Sequence, residues 1–401
     1  MVTINDFLVN KSSISYKIDG KQFSVKYPDT IFLTNESYVK DIVMSSLMPI
    51  VPFVKTINVP FQLNDDDKLF WQRIYKYWIV EYYSNTKLTR DIYIKINDGN
   101  ILLDNDIVNS NKPIILNGFG KESMCSVGLF PEYNNVVINF QRREWPELRK
   151  KYNALENKGF LMNRVWTNFN TITSLIKHQT QNKMRSYTGI FPFLALPFES
   201  TEILQNSTIS DNGNIRYENG KLCFGNSIFQ TIPITRKLGI RHNTKIFSPF
   251  SSVYEYVPKL ILHKRFPELE PIQSSCESKT VNIPYCKKCG KCLFNSLFSN
   301  SVGDEYKHMF NYDNYNIAIN EKCENTDLMN IEFLLHKLRI SKAPSRIQIT
   351  KNHPILIDFI PKKYIKIMKQ IYKEHNIKDT YEYNLPYNWD SDKMRIIEAW
   401  K

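Results

Sequence analysis

Apolar and polar positions follow different rhythms in different stretches of the chain. Around residues 13–16 and 22–25 they alternate with a period of two, the mark of strands with one buried face, and Gly20 offers a turn between them. The segment 65–83, DDDKLFWQRIYKYWIVEYY, follows a helical period instead. Its first turn is acidic, which suits the helix dipole, and Leu69, Phe70, Ile74, Trp78 and Val80 supply a broad apolar face. Aromatics at helical spacing point to core packing in preference to base stacking.

From Pro113 the texture becomes strand–helix–strand. Ile114-Ile115-Leu116 reads as a short buried strand, 117–120 as a turn and 121–129 as a helix. A strand over 136–140, a charged helix over 144–156, an apolar-polar segment over 160–166 and a helix near 171–183 continue the alternation. This spacing predicts an α/β fold, a parallel sheet with helices on both faces. Residues 206–225 are turn-rich and read as a surface loop or hairpin, 331–338 and 362–374 as helices, and the tail near Trp400 as a short helix-like stretch.

At 401 residues the chain is long enough for two or three units. The expected division is an N-terminal α+β domain over 1–112, the α/β domain over 113–300 and a mostly helical region over 301–401. With 42% hydrophobic and 13% aromatic residues, packed cores are expected and a wholly disordered chain is excluded. No apolar run approaches the ~18–20 residues of a membrane span, and the start lacks the pattern of a secretory signal, so no membrane partner and a cytoplasmic location are expected.

The formal charge of +13 raises the question of a polyanionic partner. No Arg-rich arm, dense basic block or periodic basic stripe is seen, so nucleic acid is not an expected partner. The charge reads as a Lys-rich surface on a chain handling nucleotides.

Two motifs carry candidate chemistry. Glycine is scarce, 13 in all, which makes the pair in Asn117-Gly118-Phe119-Gly120-Lys121-Glu122-Ser123 informative. Strand, tight turn and helix start form an anion cradle, because backbone N–H groups turn inward at a partly positive helix end. Here Ser123 offers a hydroxyl and Lys121 a charge to phosphate, and Glu122 a carboxylate to Mg²⁺. The spacing is neither a Walker A loop nor a dinucleotide fingerprint.

The second motif is Cys276-x9-Cys286-x2-Cys289-x2-Cys292, four of seven cysteines within 17 positions. Two-residue spacings let thiolates converge on one tetrahedral ion, so a closed, structural Zn²⁺ site is expected, with an iron–sulfur cluster as the alternative. Cys125, Cys223 and Cys323 stand outside it. No general base is assigned. Glu255 and His242 lie between the strand–helix–strand region and the cysteines and could face the crevice, but Glu255 in SSVYEYV reads first as a helix end or cap, and His242 in RHN as a surface residue.

Together the two motifs resemble the PP-loop ATP pyrophosphatases, and among them the 7-cyano-7-deazaguanine synthase (QueC-like) family. That family pairs an SGGxDS loop with a four-cysteine zinc knuckle. Gly120 and Ser123 match; Gly118 replaces the first Ser, Phe119 the first Gly and Glu122 the Asp. Gln141-Arg142 stands where the family has a YGQRH-type turn. The resemblance spans roughly 113–300 and implies a PP-loop (adenine nucleotide α-hydrolase-like) fold binding ATP through Gly118, Phe119, Gly120, Lys121, Glu122 and Ser123. It implies substrate binding by Gln141 and Arg142 and zinc binding by the four cysteines.

The implied activity is ATP-dependent adenylation of a carboxylate, 7-carboxy-7-deazaguanine or a similar deazapurine, followed by attack of an amine. A protein amine can be the acceptor in the antiphage-defence relatives (type IV CBASS and Qat systems), which the flanking regions and altered loop resemble. Two alternatives stand beside it: a PP-loop epimerase acting on a UDP-muramoyl-peptide, and a catalytically dead nucleotide-binding scaffold.

Overall fold

The computed structural model of the chain describes residues 1–83, 92–96, 99, 101, 103, 112–140, 146–176, 189–208, 215–218, 221–224, 228–251, 253, 255–274, 290–302, 360–376, 387–390 and 395–399. The first strands are β1 (Val2–Asn10), β2 (Ser13–Ile18) and β3 (Lys21–Lys26). Alternation in β2 buries Ile14, Tyr16 and Ile18 completely, as a period of two dictates. Asp19 and Gly20 have φ of 46° and 81°, the left-handed pair that a tight two-residue hairpin requires.

There follow α1 (Glu36–Ser46), β4 (Thr56–Val59), α2 (Asp65–Tyr83) and β5 (Tyr93–Ile96). Helix α2 has the bounds its sequence predicts, but its buried face is turned from the expected one. Trp71, Ile74, Tyr75 and Trp78 are fully buried, whereas Leu69 is 44% exposed. The larger aromatic area draws the stripe 71, 74, 75, 78 inward at the expense of one leucine.

The next elements are β6 (Ile114–Leu116), α3 (Lys121–Leu129), β7 (Asn134–Asn139), α4 (Pro146–Glu156) and β8 (Met162–Thr167). After them come α5 (Phe191–Leu194), β9 (Glu202–Leu204), the hairpin β10 (Ile215–Glu218) and β11 (Lys221–Phe224), α6 (Ile228–Arg241) and β12 (Lys245–Phe247). The remaining described elements are α7 (Tyr256–Arg265), α8 (Gly290–Val302), α9 (Lys362–Glu374), β13 (Tyr387–Asp390) and β14 (Arg395–Ala399).

Ten strands form one mostly parallel sheet in the order β12-β9-β6-β7-β8-β3-β2-β1-β4-β5. Strands β12 through β8 run parallel, and β3 joins β8 antiparallel, so strands from both sides of residue 112 share one sheet. Because β6 is buried on both faces, its alternate residues feed two cores. Ile114 and Leu116 pack with α1, α2, α5 and α6 residues, and Ile115 with α3, α7, α8 and α9 residues. Helices therefore cover both faces of the sheet, as the alternation predicts.

Two local expectations differ. The described part of the segment expected as a helix near 171–183 is a 3-10 turn, Phe169–Ile176. Thr171 Oγ1 donates to Asn168 O, and the β-branched run Thr171-Ile172-Thr173 favours the tighter form. The tail expected as helix-like forms the antiparallel hairpin β13–β14, in which Ile396 is the backbone partner of Trp389. The expected helix at 331–338 lies outside the described residues. Among those described, no helix is long and apolar enough to cross a membrane.

Candidate functional site

Within the parallel half of the sheet, chain order runs outward from β6 through β7 to β8 on one side, and through β9 to β12 on the other. The order therefore reverses between β6 and β9. Open α/β sheets bind ligands at such a switch point, outside the carboxyl ends of the strands. The turn 117–120 emerges at that end of β6 and leads straight into α3.

Asparagines shape the crevice, and sequence reasoning did not single them out. Asn117 Oδ1 accepts the Phe119 N–H at 2.8 Å, and its amide donates to Asn135 Oδ1 at 3.2 Å. This short side-chain turn sets the loop. Asn206, just beyond β9, donates to Leu116 O at 3.0 Å and accepts from Ser126 Oγ at 2.5 Å. It thus ties the two strands across the switch point. Its position two residues past a strand end was the available signal.

The left-handed residue of the turn is Phe119 (φ 58°), not a glycine, and Gly120 takes φ −72° as the N-cap of α3. The Phe119 ring is buried in the core beneath the loop, so it does not project into the crevice. A Cβ at Gly118 would meet nothing within 4 Å, while one at Gly120 would meet Glu122 Oε2 at 3.3 Å. With no side chain, Gly120 leaves the first N–H groups of α3 without a side-chain cap. Gly118 is exposed, Gly120 half-buried and Ser123 buried, its hydroxyl donating to Gly120 O at 3.1 Å.

Lys121 is 3% exposed and pairs with Glu255 Oε2 at 2.7 Å and Glu122 Oε1 at 3.0 Å. Burial alone would lower its pKa, but attraction to and hydrogen bonds with the two carboxylates outweigh this and raise it above the ordinary lysine value. The hard oxygens of the two carboxylates are of the kind that, with substrate phosphates, hold Mg²⁺. Glu255 is both the N-cap residue of α7, as its sequence context suggests, and a residue brought to the loop.

Two further elements press on the site. Phe119 O accepts from the Ser274 N–H at 2.7 Å, and the Phe294 ring of α8 lies 5.3 Å from the Lys121 ammonium. Helix α8 begins with Gly290 and carries buried Cys292 in its first turn. Cys276, Cys286 and Cys289, like Gln141 and Arg142, lie outside the described residues.

His242 is not at this site. Its Nε2 lies 2.7 Å from Asp41 Oδ2, and its side chain is 5% exposed, contrary to the expected surface position. Asp41, fully buried on α1, also accepts from Arg241 Nε and Trp71 Nε1, so His242 belongs to a knot joining α1, α2 and α6. Cavities of about 300 Å³ beside Arg164 and about 210 Å³ beside His242 are lined by no residue of 117–123.

Compared with known protein families, curated proteins and solved structures, the chain has no match.

Proposed function

We propose that the chain binds ATP with its phosphates against the turn 118–123 and uses it to activate a carboxylate. One observation carries this reading: the turn lies at the switch point between β6 and β9 and opens onto an α3 N-terminus that has no side-chain cap. Backbone N–H groups there suit an anion. On binding, phosphate oxygens would replace one carboxylate on Lys121, and the released Glu122 or Glu255 would face Mg²⁺.

A carboxylate is a poor electrophile until its oxygen forms an anhydride. In the proposed reaction that oxygen attacks the α-phosphorus of ATP, and pyrophosphate departs with the electrons of the broken P–O bond. An amine then attacks the acyl carbon and AMP leaves. Positive charge around the phosphates stabilises the negative charge that builds on them. Following the family resemblance, the carboxylate is a deazapurine such as 7-carboxy-7-deazaguanine, with Gln141 and Arg142 among its contacts. The acceptor is ammonia or a protein amine, and a Cys276, Cys286, Cys289, Cys292 zinc site is structural.

A second reading, a nucleotide-binding scaffold without turnover, draws on the same loop. Lys121 is engaged by two carboxylates, and Ser123 turns its hydroxyl back to Gly120 O. Calorimetry with MgATP, followed by assay of AMP and pyrophosphate with 7-carboxy-7-deazaguanine, separates the two. Saturable binding with carboxylate-dependent AMP release supports the ligase. Tight binding without AMP supports the scaffold, and unaltered ATP binding by Gly120→Val removes the loop from both.

A further inference from the structure

Helix α9 presents a charge pattern that a linear reading of the chain passes over. Lys362, Lys366, Lys369 and Lys373 are all exposed, at intervals of four, three and four residues. At 100° per residue they fall within an arc of about 60°, and at ~1.5 Å rise they span about 16 Å. The opposite face, Tyr364, Met368, Ile371 and Tyr372, is buried in the protein core. Lys363 is separate, because it pairs with Glu202 at 2.6 Å.

Local physics does not favour this arrangement. The first turn of α9 has no acid and two lysines, opposing the helix dipole, which of the stripe only Lys373 in the last turn suits, and like charges three and four residues apart repel. The same chain obeys the dipole elsewhere, placing three aspartates in the first turn of α2. Charge that resists its own helix points to a ligand that relieves it. Beyond its C-terminal end Arg265 of α7 is taken up by Glu374 at 3.2 Å, off the lysine face.

We infer that this lysine stripe docks the phosphodiester backbone of a nucleic acid. Its successive lysines are rooted about 4.5–6 Å apart along the axis, a ladder of charged side chains that suits regularly spaced phosphates and reads no bases. An anionic membrane would fit an amphipathic helix only if its apolar face were free to enter the lipid. Here that face is already packed, and the exposed side offers only Ile367, 39% exposed, as a large apolar residue. This surface is independent of the loop at 118–123, and the proposal runs counter to the expectation that nucleic acid is not a partner.

The test is fluorescence anisotropy of the full chain with labelled 20-mers of duplex DNA, single-stranded DNA and RNA, from 50 to 200 mM salt. Four phosphate contacts predict that duplex affinity falls on the order of a hundredfold over that range. Replacing Lys362, Lys366, Lys369 and Lys373 together with Gln should cut affinity at least tenfold and flatten the salt slope, and replacing them with Arg should retain both. Replacing Lys76, Lys95, Lys112 and Lys158, exposed elsewhere, with Gln removes the same charge and should change affinity less than threefold. Equal losses in the two Gln variants would assign binding to net charge and overturn the stripe. So would absence of binding to every oligonucleotide at 50 mM salt, or binding only to phosphatidylserine vesicles. Circular dichroism confirms that each variant keeps its fold.

Discussion

Lys121 Nζ lies 2.7 Å from Glu255 Oε2, so one buried ion pair fastens the first residue of α3 to the residue preceding α7. Removing Glu255 leaves Lys121 its second carboxylate, Glu122 at 3.0 Å, so the loss is that of one charge-assisted hydrogen bond and not of an orphaned buried charge. Glu255→Ala should therefore lower unfolding free energy by about 1.5–3 kcal/mol, and Glu255→Gln, which keeps a hydrogen-bonding oxygen, by less. Because the Lys121 pKa is raised in the folded chain, its stabilisation is complete below the unfolded lysine value and fades only as pH rises through the folded one. Urea unfolding at pH 6 and pH 9 should thus give the same loss for Glu255→Ala. A loss under 0.5 kcal/mol would show that the pair is immaterial.

Phe119 sets two effects against each other. Its left-handed backbone costs about 1–2 kcal/mol, which glycine would relieve. Its ring is 2% exposed, and truncating a buried phenylalanine costs about 3–5 kcal/mol. Burial wins, so Phe119→Gly should destabilise by about 2–3 kcal/mol in urea unfolding. A stabilised variant would mean that backbone strain dominates the turn.

What the sequence made legible, and what it hid, follows from the range of the forces involved. Helices α2, α3 and α9 match their expected bounds because a 3.6-residue period is a local signal, helped in α2 by an acidic first turn. The turn at 118–123 was legible for the same reason, as a strand–turn–helix punctuated by scarce glycines. Glu255 was legible only as a residue that could face the crevice and Asn206 not at all, since each acts from a distant part of the chain through side-chain contacts. The hairpin β13–β14 escaped because its strands specify each other only once paired. The α9 stripe needed only a helical projection; its significance required knowing which face the core had taken.

Gly128, in α3, is a close-approach glycine. A Cβ there would lie 2.5 Å from Cγ and Cδ2 of Phe266, at the end of α7. Alanine favours the helix by about 1 kcal/mol, but overpacking against a ring costs about 1–3 kcal/mol or more. Gly128→Ala should be net destabilising in thermal unfolding, and adding Phe266→Leu should recover part of the loss. A higher Tm for Gly128→Ala would show that α3 and α7 separate freely.

Glu270 gives the acid side of the stability profile. Burial would raise its pKa, but Lys259 at 2.5 Å and His263 at 2.8 Å hold it below the ordinary carboxylate range. A depressed folded pKa means that the stabilisation is present above the unfolded value near 4.3 and is lost as pH falls through the folded one. Glu270→Gln should therefore cost about 1–3 kcal/mol at pH 7, and the gap to wild type should shrink below about pH 4. A gap that widens on acidification would reverse the sign and refute the assignment.

The last prediction joins the cysteines to the loop. Cys292 lies buried in the first turn of α8, and the same helix sets Phe294 against Lys121 and buries Leu293, Leu297 and Phe298 in the core beneath the loop. If Cys276, Cys286, Cys289 and Cys292 hold one zinc ion, that ion anchors the start of α8, and its free energy of binding adds to that of folding. Purified protein should then contain one zinc per chain by elemental analysis. Chelation at pH 7, or Cys289→Ser, should lower Tm by several degrees and weaken MgATP binding together, because Lys121 loses its cover. Iron with labile sulfide and a visible absorption band would identify a cluster instead. An absence of metal, with Tm unchanged by chelator, would leave Cys292 as a core residue of α8 alone.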